Sequence, residues 1–135
     1  MASVHAAYNN ASVAVTAAAT PITILGTHSL SEGCAITTEQ TGFRINRSGV
    51  YRISYDVTFT PSADGTETLQ IYNDTTALPC SVTNATGFTG KIMTIHAESI
   101  VCIARCCAIH PIISAQINGI AGSVNHVCAS CQRIC

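Results

Sequence analysis

An all-β sandwich or barrel is what this sequence predicts, on three observations. The stretch Phe43 to Phe59, FRINRSGVYRISYDVTF, is a turn followed by strict alternation. Tyr51, Ile53, Tyr55, Val57 and Phe59 fall on one parity, and Val50, Arg52, Ser54, Asp56 and Thr58 on the other. A period of two with aromatic and β-branched residues on one side describes a half-buried strand. Turn signals recur at Ser31–Gly33, Ser48–Gly49, Ser62–Gly65, Asn73–Asp74, Asn84–Gly87 and Asn118–Gly119, a spacing that suits short strands with no intervening helix. Almost no segment carries the helical period.

Taken in chain order, residues 1–10 read as an arm, loose or contacting a neighbouring subunit, ahead of one domain over 11–135. Strands are expected near 12–17, 22–26, 34–37, 41–46, 50–60, 66–73, 79–82, 90–96, 99–108, 112–117 and 124–134. Residues 11–19 are rich in alanine, but Val13, Val15 and Thr16 fit a strand, and Pro21 limits any helix. The turn Asn46-Arg-Ser-Gly49 puts a residue free of a Cβ just before the chain straightens. On 99–108, Ile100, Cys102, Ala104 and Cys106 share one parity while Val101, Ile103, Arg105 and Cys107 share the other. Both faces are poor in charge. One of them must lie outside a sandwich, where water penalises an apolar surface unless another chain covers it.

Composition supports assembly and excludes several functions. Charged residues are 10% of the chain and the net charge is −1, against about a quarter charged in an ordinary soluble domain. The six Lys and Arg stand singly, with no basic stripe to neutralise phosphates, so nucleic-acid binding is not expected. No stretch reaches the length of a membrane span, so no membrane insertion is expected. The N-terminus lacks the basic and apolar regions of a secretory signal. An extracellular surface location would then follow from release within a particle, as on a virion; cytoplasmic is the alternative.

Eight cysteines need an explanation: Cys34, Cys80, Cys102, Cys106, Cys107, Cys128, Cys131 and Cys135. Free cysteines buried as small hydrophobes are the favoured reading, with disulfides and a metal site as the competing ones. The metal reading rests on Cys128-Ala-Ser-Cys131 with Cys135, plus His126 and Cys106-Cys107. Zinc pairs of this kind sit on turns, whereas positions three apart in a strand face opposite sides. His96, His110 and His126 are the weak candidates for a metal or catalytic cluster, together with Cys128 and Cys131. No paired carboxylates or nucleophile-elbow motif accompany them, so neither an enzyme nor a cofactor is expected.

The segment GFRINRSGVYRISYDVTF resembles the most recognisable signature of the tumour-necrosis-factor/complement-type jelly-roll superfamily. The likeness is to its bacterial and phage branch, including the C-terminal heads of collagen-like spore-surface proteins. ASVAVTAAATPITI (11–24) is similar to its opening strands, and TLQIYNDTTAL (68–78) to the strand with an "lyvNg"-like turn. KIMTIHAESIVCIAR (91–105) is similar to the strand pair around an "naGDtv" turn, and GSVNHVCASCQRI (122–134) to the closing strand. The resemblance implies a two-sheet jelly roll of about ten antiparallel strands that forms a homotrimer. Gly49 would be its turn glycine, and Tyr51 a core or inter-subunit aromatic. Phe43, Ile53, Tyr55, Val57 and Phe59 would complete the core of the signature. His96-Ala-Glu-Ser99 departs from the Gly-Asp turn, and Cys128, Cys131 and Cys135 replace aliphatic residues. The implied role is a non-enzymatic structural or recognition head of a bacterial or phage surface assembly. A surface glycan or protein receptor would meet polar loops at Ser62, Asp64 and Gly65 and at Asn84, Thr86 and Gly87.

Overall fold

The computed structural model describes residues 3–26, 28–104 and 110–135, without the side chains of His28 and Ser29. Cys106, Cys107 and the end of the expected strand 99–108 lie outside the described residues. Among the described residues, twelve strands pair antiparallel in two sheets. The first sheet runs β10 (Met93–Ile103), β7 (Gly49–Pro61), β12 (Gly122–Arg133), β1 (Val4–Asn9) and β4 (His28–Glu32), with β2 (Val13–Val15) also on β12. The second runs β5 (Ile36–Thr38), β6 (Gly42–Ile45), β11 (Ile112–Asn118), β8 (Gly65–Asn73) and β9 (Thr76–Gly87), with β3 (Thr20–Pro21) on β11.

β7 is the centre of the fold. Its alternation turns Tyr51, Ile53, Tyr55, Val57 and Phe59 inward at 0% exposure. Arg52 and Asp56 stay in solvent on the other face. Phe43, Ile45, Leu69, Ile71, Ile113, Ala115 and Ile117 of the second sheet meet them at 0% exposure. The Phe43 and Tyr55 rings stand edge to face, 6.5 Å apart, a favoured aromatic geometry. Tyr51 is a core aromatic whose hydroxyl donates to the Arg47 carbonyl at 2.6 Å.

Four expectations are corrected. Val4–Asn9, set apart as an arm, is a strand bonded to β12 on one side and β4 on the other. His5, Ala7 and Asn9 point inward there and are buried. Segment 22–26 is not a strand, although Ile22 and Ile24 are buried and their N–H groups donate to Ala115 and Gln40 carbonyls. The expected break between 96 and 99 does not exist. Met93 to Ile103 pairs without interruption with Phe59 to Gly49, because His96-Ala-Glu-Ser99 offers no glycine and Ala97 is drawn into the core opposite Tyr55. Asn84–Gly87 is not a loop: it ends β9, with Asn84, Thr86 and Gly87 opposite Thr68, Thr66 and Gly65.

Asp74 makes the β8–β9 turn at φ 53°, the left-handed region that Asp tolerates better than most side chains. Further along the β8–β9 pair the register jumps between Gln70 and Tyr72 of β8. Ser81, buried, donates to the Leu78 carbonyl at 2.7 Å, and the Gln70 amide donates to Ser81 Oγ at 2.7 Å. Those bonds satisfy polar groups that the bulge removes from the ladder.

One carboxyl lies in the core. Glu67 of β8 is 0% exposed; Oε1 accepts from Ile120 N at 3.1 Å and Oε2 is buried without a partner. Gly119, at φ 118°, brings the backbone against it, and a Cβ there would sit 2.1 Å from the Thr66 carbonyl oxygen. Loss of water raises the Glu67 pKa above the usual carboxylate value, and the backbone donors Ile120 and Thr68 only partly offset this. The folded state therefore holds this proton more tightly than the unfolded chain. The stabilisation is fully present below the unfolded carboxylate value and is lost as pH rises through the folded one. Glu67→Gln should match the wild type at pH 4 and melt about 3–5 °C higher at pH 7, followed by circular dichroism.

Candidate functional site

The outward face of the first sheet carries the candidate site. Register lines up His96 of β10, Asp56 of β7, Cys128 of β12 and Tyr8 of β1 in one row across four strands. The next row is Glu98, Ser54, Ser130, Ala6 and Leu30. Small side chains at Ala6, Ser54 and Ser130 leave a groove of about 240 Å³, walled by Tyr8, Asp56 and Cys128. Beyond it Leu30 and Ile100 are 48% and 55% exposed.

His96 Nδ1 and Asp56 Oδ1 lie 2.7 Å apart, each side chain about half exposed. The Tyr8 and His126 rings lie 5.8 Å apart, and His126 Nδ1 is buried without a partner. The Cys128 thiol is pushed up by desolvation and then by the neighbouring Asp56 charge. Asp56 stands between Cys128 and His96 in the row, so the His96 imidazole does not lie on the thiol. A reactive cysteine needs the reverse, an adjacent cation or base.

The remaining predicted site residues do not converge. His110 is exposed at the end of the second sheet, where its carbonyl accepts from Arg44. Cys131 is buried in the core, on the face opposite Cys128, and desolvation pushes its thiol up to about 12. Among the described residues no three His, Cys, Asp or Glu side chains gather as metal ligands. The reading of the cysteines as buried hydrophobes is corrected. Of the six described, all free, only Cys131 is buried, and Cys34, Cys80, Cys102, Cys128 and Cys135 are exposed. Strand parity turns Cys102 and Cys128 outward, whereas Cys34 and Cys135 lie outside the strands.

The loop Ser62–Asp64, with Gly65 opening β8, does lie exposed. Its conformation is held by Asp64 Oδ1, which accepts from Thr89 N at 2.8 Å and Thr89 Oγ1 at 3.0 Å. Those two bonds draw the Asp64 pKa down. The sequence reading missed the groove residues Ala6, Tyr8, Ser54 and Ser130. The signal available was the polar outward parity of β7, which includes Ser54; Val4–Asn9, with Val4, Ala6 and Tyr8 outward, does not repeat it.

No protein-family model and no curated protein sequence matches the chain. Solved structures do match. Murine APRIL at pH 5.0 superposes with a TM-score of 0.71 at 10% identity, covering 99% of this chain and 100% of that one. The PRD1 vertex protein P5 gives 0.66 at 15% identity, covering 98% and 97%. The globular domain of zebrafish complement 1qA protein gives 0.66 at 8% identity, covering 98% of each. With its two antiparallel sheets matched over almost their whole extent, this chain has the jelly-roll fold of the tumour-necrosis-factor and complement type.

Proposed function

We propose that the chain is the protomer of a homotrimeric structural or recognition head, displayed on a bacterial or phage surface assembly. The observation that carries this reading is the outward face of the first sheet. It presents a groove of small residues flanked by exposed Leu30 and Ile100, on a chain of only 10% charged residues. Apolar sheet surface of this kind is stabilised by burial against a second copy, and closed symmetric assembly leaves no open-ended contact. In the trimer, β1 supplies the subunit contact through Ala6 and Tyr8. Likeness to a vertex protein of PRD1 supports placement on a particle exterior. Loop Ser62–Gly65, at one end of the sandwich, is the proposed contact for a surface glycan or protein receptor.

Light scattering at micromolar concentration tests the assembly. The expected mass is three times the 14.1 kDa of one chain, and a species of single-chain mass rejects the proposal. A second reading, an intracellular packing module, is favoured by the five exposed free thiols among the described residues, which persist in a reducing compartment. Detection of the protein on intact particles separates the two.

A further inference from the structure

A second cavity lies away from the outward groove, at the end of the sandwich where the β4–β5 and β6–β7 turns meet the end of β12. It measures about 150 Å³ and is lined by Ser3, Gly33, Cys34, Ala35, Arg47 and Arg133. No Asp or Glu is among those residues. In a chain with six Lys and Arg altogether, two arginines on one small cavity are a concentrated positive charge.

The signature segment positions both arginines, Arg133 through the Ser48 carbonyl and Arg47 as part of its own turn. Arg133 pairs with Tyr51 across the sheet, and its Nη2 donates to the Ser48 carbonyl at 2.7 Å. Its Nε is buried and has no acceptor. A buried guanidinium donor without a partner is costly unless an acceptor arrives. Gly49 makes room for this arrangement, since a Cβ there would fall 2.6 Å from Arg133 Nε. Arg47 is fixed through its carbonyl by the Tyr51 hydroxyl. Its guanidinium makes no hydrogen bond or ion pair among the described residues. Ser3, 3% exposed, accepts from Ala35 N at 3.3 Å, which leaves its own hydroxyl proton to donate.

We infer that this cavity is a binding site for a small oxyanion, a carboxylate, sulfate or phosphate group, held between Arg47 and Arg133 with Ser3 as a further donor. Guanidinium groups match such oxygens in number and geometry. The volume fixes the size class: about 150 Å³ is below the range of roughly 300–1,000 Å³ for drug-sized ligands. It equals the liquid volume of about five waters. The site takes a free ion or the acidic terminal group of a larger molecule such as an acidic sugar. All six lining residues belong to one chain, so the site does not rest on the proposed trimer.

The test is calorimetric titration of the full chain with sodium sulfate, phosphate and glucuronate at matched ionic strength. Saturable binding with a dissociation constant on the order of 1 mM is expected for at least one of them. Sulfate or phosphate alone identifies a tetrahedral group, and glucuronate a carboxylate. Arg47→Ala, at an exposed turn position that does not threaten folding, should weaken binding at least about tenfold. Lys91→Ala, far along the chain on another turn, should leave it unchanged. The bound anion should slow alkylation of Cys34 by iodoacetamide and leave exposed Cys80 at its original rate, read by peptide mass spectrometry. Absence of saturable binding to all three probes overturns the site, as does binding that Arg47→Ala and Lys91→Ala weaken equally or that leaves Cys34 unprotected. Light scattering on the same samples reports the trimer separately.

Discussion

Phe59→Ala is expected to remove about 3–5 kcal/mol of folding stability, the largest loss predicted for any single side chain here. Phe59 is 0% exposed, near the end of β7, and pairs with Met93 on one side and Val124 on the other. Its ring lies over Gly122, so close that a Cβ at Gly122 would come within 2.8 Å of Cζ. The glycine and the aromatic ring are thus complementary shapes, and truncating the ring leaves a void that neither sheet fills. The cost combines lost transfer energy with the cavity left behind. Urea unfolding at fixed protein concentration measures it, as a lower midpoint at an unchanged slope. A midpoint indistinguishable from that of the parent chain would contradict the central place given to β7.

The second large effect concerns assembly. Ala6→Arg should convert the proposed trimer to a single chain of 14.1 kDa without altering the far-ultraviolet circular dichroism. Ala6 faces outward between Ser130 and Leu30 in the row that lines the groove, so the larger side chain meets no core atom of its own protomer. Across an interface it would bury a charge with no partner, a penalty of about 3–5 kcal/mol at each of the related contacts. Ser62→Arg, in the exposed loop at the end of the sandwich, should leave the mass unchanged. An Ala6→Arg protein that still scatters as a trimer would show that the subunits meet elsewhere.

How far the sequence could be read depended on what each strand faces. β7 was legible residue by residue because one side is aromatic and aliphatic and the other polar, which makes the pleat visible as a pattern. β1 was not, because Val4–Asn9 alternates His5, Ala7 and Asn9 with Val4, Ala6 and Tyr8, and the set that is buried is the more polar of the two. Its burial comes from pairing with β12 and β4, partners remote in sequence. The family likeness supplied the two-sheet architecture but also suggested a break in β10 that the residues themselves do not encode. The groove was out of reach for a different reason. Ala6, Ser54 and Ser130 are individually unremarkable, and they form a hollow only where three strands lie side by side. Arg47 and Arg133 likewise meet only because the end of β12 pairs with the start of β7.

The pairing of β1 with β12 also governs when the fold can complete. Val4 lies opposite Gln132, so the first sheet closes only after the segment up to Gln132 has left the ribosome. Until then β7 can pair with β10 but exposes its other edge, and His5, Ala7 and Asn9 have no surface to bury against. Contacts so distant in sequence carry a large loop-closure entropy and slow the search for the native state. The half-made sheet, with an unpaired central edge, is the species most open to association with other nascent chains. Completion of the first sheet therefore waits on β12, and its yield will depend on how crowded the unfinished chains are.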